Sequence, residues 1–133
     1  MFNTETINQV FLNKRGYIMI QRANNMEKEV REKMKGGKRS VTVTHILHQK
    51  QITGKCRFFG KMLINPGCSV GLHRHDDEEE IYYVLKGKGI AEDNGIRQEV
   101  EEGDVIVTGG GSSHSIENTT NEPLEVMGVI LLF

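Results

Sequence analysis

From Val41 to the C-terminus, apolar and polar positions repeat with a period near two, in short runs bounded by Gly, Asn, Asp and Pro. The runs are VTVTHIL (41–47), CRFFGKMLI (56–64), IYYVL (81–85), GIA (89–91), IRQEV (96–100), DVIVT (104–108), HSIEN (114–118) and LEVMGVILLF (124–133). Period-two runs rich in β-branched and aromatic residues predict strands. No helical pattern lies between them, so a parallel βαβ sheet is excluded and the class is all-β, a sandwich or barrel. Asn94-Gly95 predicts a tight hairpin, because both turn positions need φ > 0. Pro66 and Pro123 sit at strand ends, where no ladder donor is lost. Two runs, IYYVL and VMGVILLF, are apolar on both faces. A strand wetted on one side alternates, so something covers the outside of this sheet, either an N-terminal helix or a second subunit.

Upstream of Val41 the pattern changes. Residues 24–35, NNMEKEVREKMK, place Met26, Val30 and Met34 at i, i+4 and i+8, which predicts one amphipathic α-helix. Asn24 or Asn25 would cap it and Gly36-Gly37 would end it. The expected organisation is an N-terminal extension over 1–18, a helical segment over 19–40 packed on the barrel, and the barrel itself over 41–133.

Composition narrows the function classes. The 133 residues suffice for one domain. Seventeen Lys plus Arg against eighteen Asp plus Glu leave a net charge of −1, without the basic excess of a nucleic-acid binder. No run approaches the ~18 apolar residues of a membrane span. The start, MFNTETINQVF, lacks the pattern of a secretory signal. Cys56 and Cys68 have no CxxC spacing, as expected of reduced thiols in a cytoplasmic protein.

The chemistry concentrates in a few side chains. His73 and His75 are i and i+2, so on a strand both imidazoles face one way. Glu80 opens the next apolar strand. Its odd offset from His75 requires a turn or bulge, for which Asp76-Asp77-Glu78 supplies the polar residues, read here as a solvated loop. His114 begins a later strand after a glycine-rich turn. Three imidazoles and a carboxylate converging in a barrel would suit manganese, iron, nickel, cobalt or zinc, and not calcium or magnesium. Of the other histidines, His45 shares a face with Val41 and Val43 and is read as a core or rim residue, with His48 beyond it. Arg57 and Lys61 share a face of their strand and could hold a carboxylate or phosphate if that face is inward. The parity there stays open, because Phe58, Met62 and Ile64 compete with Phe59 and Leu63. Tyr82 is expected to face the cavity. Cys68 reads as a loop thiol.

GCSVGLHRHDDEEEIYYVLKG resembles the first cupin motif, through Gly67, His73, His75, Glu80 and Gly87. GDVIVTGGGSSHSIEN resembles the second, through Gly103, the glycines of the turn, His114 and Asn118. The resemblance implies a double-stranded β-helix, or jelly-roll barrel, with His73, His75, Glu80 and His114 as ligands of one divalent transition metal (manganese, iron, nickel or zinc). Glu79 is the competing carboxylate, and Glu80 keeps the family's distance to Gly87. The chain departs from the family at Gly109, where proline is usual, which implies a looser turn. Small cupins of this kind begin near MIQRANNME. Met19 is therefore one expected native start, and a strand exchanged between subunits, with Phe11, Tyr17, Ile18 and Ile20, is the alternative for what precedes it. The resemblance further implies a homodimer and a small-molecule ligand. The reading leans to a metal-dependent enzyme acting on a small polar acid or sugar, of decarboxylase, isomerase or lyase type, with Tyr82 and Arg57 as candidate catalytic residues. A non-catalytic sugar- or carboxylate-binding module and a metal-dependent dioxygenase are the alternatives.

Overall fold

The computed structural model describes residues 11–13 and 16–133, with side chains described from Ile18 onward. Most of the extension expected over 1–18, namely 1–10 and 14–15, lies outside the described residues. Its described part is a two-stranded hairpin of β1 (Phe11–Asn13) and β2 (Gly16–Ile18).

The rest is a jelly-roll β-barrel built from two antiparallel sheets. The larger sheet contains β3 (Glu27–Glu32), β4 (Ser40–Leu47), β5 (Cys56–Ile64), β7 (Glu78–Lys86), β10 (Val105–Gly109) and β12 (Leu124–Leu132), in the order β10-β7-β12-β5-β4-β3. The smaller contains β6 (Ser69–Arg74), β8 (Lys88–Asp93), β9 (Ile96–Glu101) and β11 (Ser113–Glu117), in the order β6-β11-β8-β9. Asn94-Gly95 turns β8 into β9 with φ of 52° and 86°, as the hairpin signal predicts.

Strand alternation settles the core. Val41, Val43, Met62, Ile64, Val84 and Val126 from the larger sheet meet Val70 and Ile116 from the smaller one, all essentially without solvent exposure. Each such side chain contributes about 1.5–3 kcal/mol of burial free energy. On β5, Phe58, Met62 and Ile64 take the inward parity, so the open choice of face resolves in their favour and Lys61 points outward.

The predicted α-helix over 24–35 is absent. The segment instead makes a 3-10 turn at Ala23–Asn25, strand β3, and a second 3-10 turn at Met34–Gly36. Two effects override the helical spacing. A twelve-residue segment is too short to be stable as a helix on its own, whereas pairing with β4 from Glu27↔His45 to Glu32↔Ser40 satisfies an otherwise open sheet edge. Lys33 and Lys35 also take left-handed backbone, φ 48° and 54°, which no helix continues through. Of the supposed apolar stripe, Val30 is 61% exposed and only Met34 packs against the core.

Candidate metal centre

Three strands carry the site. β6 supplies His73 and leads into His75, β7 supplies Glu80, and β11 supplies His114 directly across from His73. The offset between His75 and Glu80 is absorbed at Asp77, whose φ is 55°. Glu80 therefore faces the barrel interior, while Glu79, the competing carboxylate, pairs with Gly109 on the opposite parity of β7.

The donor atoms of His73, His75, Glu80 and His114 all lie within 4.8 Å of one another. His114 Nε2 is 3.0 Å from both His73 Nε2 and His75 Nε2, and Glu80 Oε1 is 3.1 Å from His114 Nε2, 3.2 Å from His75 Nε2 and 3.9 Å from His73 Nε2. Metal–donor bonds of about 2.1 Å put adjacent corners of an octahedron about 3.0 Å apart, so this cluster has the dimensions of a ligand set around one ion. Three nitrogens and one carboxylate oxygen suit a borderline transition metal.

The imidazoles are oriented for that task. His73 Nδ1 lies 2.7 Å from the Gly71 carbonyl oxygen, so it carries the proton and donates. His75 Nδ1 lies 3.0 Å from Glu78 Oε2 and donates to it in the same way. In both rings Nε2 is left with its lone pair directed at the cluster. Burial pushes the Glu80 carboxyl up, but when the imidazoles are protonated, hydrogen bonds from His114 and His73 and the charges of His114 and His75 outweigh it and hold it at about 2. Burial lowers the His114 imidazole against the opposing pull of Glu80. The site thus favours an ionised carboxylate beside a neutral imidazole, which are the forms that bind a metal.

Glu78 corrects the reading of Asp76-Asp77-Glu78 as a purely solvated loop. Its side chain is largely buried and takes three hydrogen bonds from the Arg57 guanidinium at 2.7–3.1 Å besides the one from His75. Burial raises this carboxyl, and the hydrogen bonds from Arg57 and His75 bring it below the ordinary value. Arg57 reaches it because β5 bulges. Ile130 pairs with Phe58 and Leu131 with Cys56, so Arg57 is the extra residue and turns away from the face that alternation assigns it. Arg57 and Lys61 consequently do not act together.

Gly109 also departs from expectation. A Cβ there would lie 2.5 Å from the Glu78 carbonyl oxygen and 2.6 Å from Glu79 Cβ. The turn is close-packed against β7 rather than loose, and hydrogen bonds from Gly110 to Glu78 and from Gly111 to His75 tie it down.

A cavity of about 250 Å³ opens onto the cluster, lined by Glu80, His73, His75 and Tyr82 and also by His45, Arg31 and Lys35. Its floor follows from the register of the larger sheet. One row crosses the sheet as Tyr82, Gly128, Gly60, His45, with two glycines between the large side chains. A Cβ on Gly60 would lie 2.5 Å from the Phe58 ring, and one on Gly128 would lie 3.2 Å from that ring and 3.4 Å from Glu80 Oε2. The bare backbone thus makes room for Phe58 and for the carboxylate. Tyr82 is buried and stacks on His114, with centroids 4.7 Å apart. Burial, and secondarily the Glu80 carboxylate, push its phenol well above the usual range, so it stays a neutral donor. Sequence reasoning missed Glu78, Arg31 and Lys35, and placed His45 in the core or rim instead of on the cavity wall. The available signal for His45 was its shared face with Val41 and Val43. Asn118, from the second motif, is structural, since its amide bonds the Ile64 and Glu122 carbonyls and accepts from Thr120.

Known proteins bear on this geometry. A "Cupin domain" family profile matches residues 60–130. The "Oxalate-binding protein" of Thermotoga maritima is 44% identical over 119 residues, covering 90% of this chain and 98% of its own. A crystal structure from the same organism, described as a predicted oxalate decarboxylase, superposes with a TM-score of 0.82 at 44% identity, covering 86% of this chain and 100% of that one. A cupin-2 domain from Rhodospirillum rubrum, at 21% identity and a TM-score of 0.69 over 84% of this chain and 73% of its own, shares the fold. With the family profile spanning β5 to β12 and a relative matched over nearly its whole length, the chain belongs to the cupin family.

Proposed function

We propose that this cupin binds a small carboxylic acid at a transition metal held by His73, His75, Glu80 and His114, and acts on it as a metal-dependent enzyme. The observation that carries this reading is one cavity with a four-donor cluster at one end and cationic side chains, Arg31, Lys35 and Arg57, around the rest. Manganese, iron, nickel and zinc all suit the donor set. When bound, the metal supplies Lewis acidity that polarises the acid's oxygens. The protein's own groups do the remainder. Arg57 brings positive charge to the rim, Tyr82 presents a neutral phenol beside Glu80, and Phe58 covers the glycine floor. The oxalate-binding relative from Thermotoga maritima favours oxalate as the first acid to test, and equally favours a second reading in which the chain binds without turnover.

Titration calorimetry with oxalate on metal-loaded and metal-free protein tests the binding. The expected result is binding only in the loaded form, and no binding of any acid in a panel of small mono- and dicarboxylates would refute it. Product analysis on the same panel separates the two readings, because tight binding with no turnover favours the non-catalytic module.

A homodimer is part of this proposal. Across the outer face of the larger sheet, Val107, Ile81 and Val129 form one apolar row and Val105, Tyr83 and Met127 another, with Val105 and Val107 more than half exposed. A contiguous apolar sheet face of this kind supports a protein interface, and light scattering that gives a monomer at micromolar concentration would overturn it. No helix among the described residues is long and apolar enough to cross a membrane. Both cysteines are free, which supports a cytoplasmic, reducing location.

A further inference from the structure

The family profile begins at residue 60, yet much of the cavity lining comes from residues before it. β3 and β4 there hold a cluster that the metal reading does not use. His45 Nε2 lies 3.3 Å from Glu29 Oε2, and Arg31 in turn hydrogen-bonds the other oxygen of Glu29. The His45 ring is largely buried, edge-on to Phe58 with centroids 5.8 Å apart. Its Nδ1 makes no hydrogen bond among the described residues. A carboxylate that fixes one nitrogen of a cavity histidine sets the ring's orientation and leaves the other nitrogen for a ligand.

The geometry points to His45 as a ligand-contacting residue that recognises the end of the acid remote from the metal, with Glu29 and Arg31 as its positioning residues. This rests on the proposed binding of an acid at the metal. It makes the ligand class a small acid with oxygens at both ends, a dicarboxylate in preference to a monocarboxylate. His45 and Tyr82 are the two ends of the row interrupted by Gly60 and Gly128, so the space between them is the trough an acid would occupy. Three strand spacings separate their backbones, about 14 Å, and side chains from both ends narrow that gap. The cavity of about 250 Å³ is lined by both the metal cluster and His45, so a small acid seated at the metal shares it with the His45 ring. The hydrogen bond forms whichever partner carries the proton, because imidazole and carboxyl can each donate or accept. β4 keeps His45 on the inward parity of Val41 and Val43 and bulges directly after it. His45 pairs with Gly60 and Leu47 with Phe59, leaving Ile46 as the extra residue beside the histidine.

The test is titration calorimetry of metal-loaded protein with acetate, oxalate and malonate, with metal content measured on every sample. Wild-type protein should prefer a dicarboxylate to acetate by 10-fold or more. His45→Ala should remove that preference, lowering dicarboxylate affinity at least 10-fold while leaving acetate affinity and metal content unchanged. His45→Asn, which keeps one donor at similar reach, should recover part of the loss. Glu29→Gln should weaken dicarboxylate binding in the wild-type background and add nothing to His45→Ala, since a positioning residue acts only through the group it positions. A retained preference in His45→Ala, an equal loss for acetate, no rescue by His45→Asn, additive losses with Glu29→Gln, or a wild type without preference would each overturn the inference while leaving acid binding standing. Binding of no acid at all by the wild type would sink the functional proposal and this inference with it.

Discussion

Glu78 is neither a metal donor nor a cavity-lining residue, yet Glu78→Gln should weaken metal binding more than any other substitution outside the four donors. The side chain does two things at once. One carboxylate oxygen accepts from His75 Nδ1 at 3.0 Å, and the carboxylate as a whole takes the Arg57 fork at 2.7–3.1 Å. Glutamine keeps the shape but has one acceptor oxygen and no charge, so it cannot hold both partners. Losing the carboxylate behind a ligating histidine costs about 10–100-fold in metal affinity, or about 1.4–2.7 kcal/mol. The cost to the metal-free fold is smaller. Arg57 is 40% exposed, so solvent screening limits its pair with Glu78 to about 1 kcal/mol or less. The assay is competition against a chelator of known affinity, alongside thermal unfolding of the metal-free protein. Arg57→Ala is the control, because it leaves Glu78 on His75 and should change metal affinity by less than about 3-fold. The acidity of Glu78 adds a second readout. Its folded-state pKa is depressed, so its contribution is full above the ordinary carboxylate value of 4.5 and is lost as pH falls through the lower folded value. The stability difference between wild type and Glu78→Gln should therefore be constant above that range and shrink below it. Unchanged metal affinity in Glu78→Gln, or a loss equalled by Arg57→Ala, would refute the reasoning.

Other outcomes follow from the same geometry. Elemental analysis should find about one transition metal per chain, and His114→Ala should abolish it, since that ring stands 3.0–3.1 Å from each of the other three donors; full stoichiometry in the variant would exclude the site. Gly109→Ala should destabilise by about 1–3 kcal/mol through overpacking against Glu78 and Glu79, measured by denaturant unfolding. Tyr82→Phe keeps the ring on His114 and should retain metal and stability within about 1 kcal/mol, while weakening acid binding if the phenol donates to the ligand.

The larger features of the molecule are legible in the chain because they depend on repetition. Eight β-branched and aromatic runs mark eight of the nine strands from β4 onward; β6, which carries His73, is the one that no run marks. The His73-x-His75 pair is legible nonetheless, since i and i+2 on a strand share a face whatever the neighbours do. The segment over 24–35 is the counterexample. Met26, Val30 and Met34 have helical spacing, but the chain satisfies its backbone by pairing with β4, a tertiary gain that no local window contains. The left-handed backbone at Lys33 and Lys35, residues that do not advertise it, completes the misdirection.

Departures from strict alternation account for part of what escaped the sequence. Arg57 owes its direction to the bulge in β5, and Glu80 owes its inward parity to the left-handed turn at Asp77, which the sequence did signal; His45 instead keeps the regular parity of Val41 and Val43. A one-residue shift exchanges the two faces of a strand, so a period-two reading is least reliable at the positions where the fold re-aims a side chain. Bulges cost ladder hydrogen bonds and persist where re-aiming compensates. Here the bulges in β5 and β4 adjoin residues that line the same cavity, Arg57 in the first and His45 next to the second. Further register shifts lie at Glu125/Val126 in the larger sheet and at His114/Ile116 in the smaller, the latter beside a metal donor, so irregular pairing accompanies the site as well as this part of the cavity. Deleting the extra residue at the bulge in β5 or β4 should restore a more regular ladder while degrading ligand recognition.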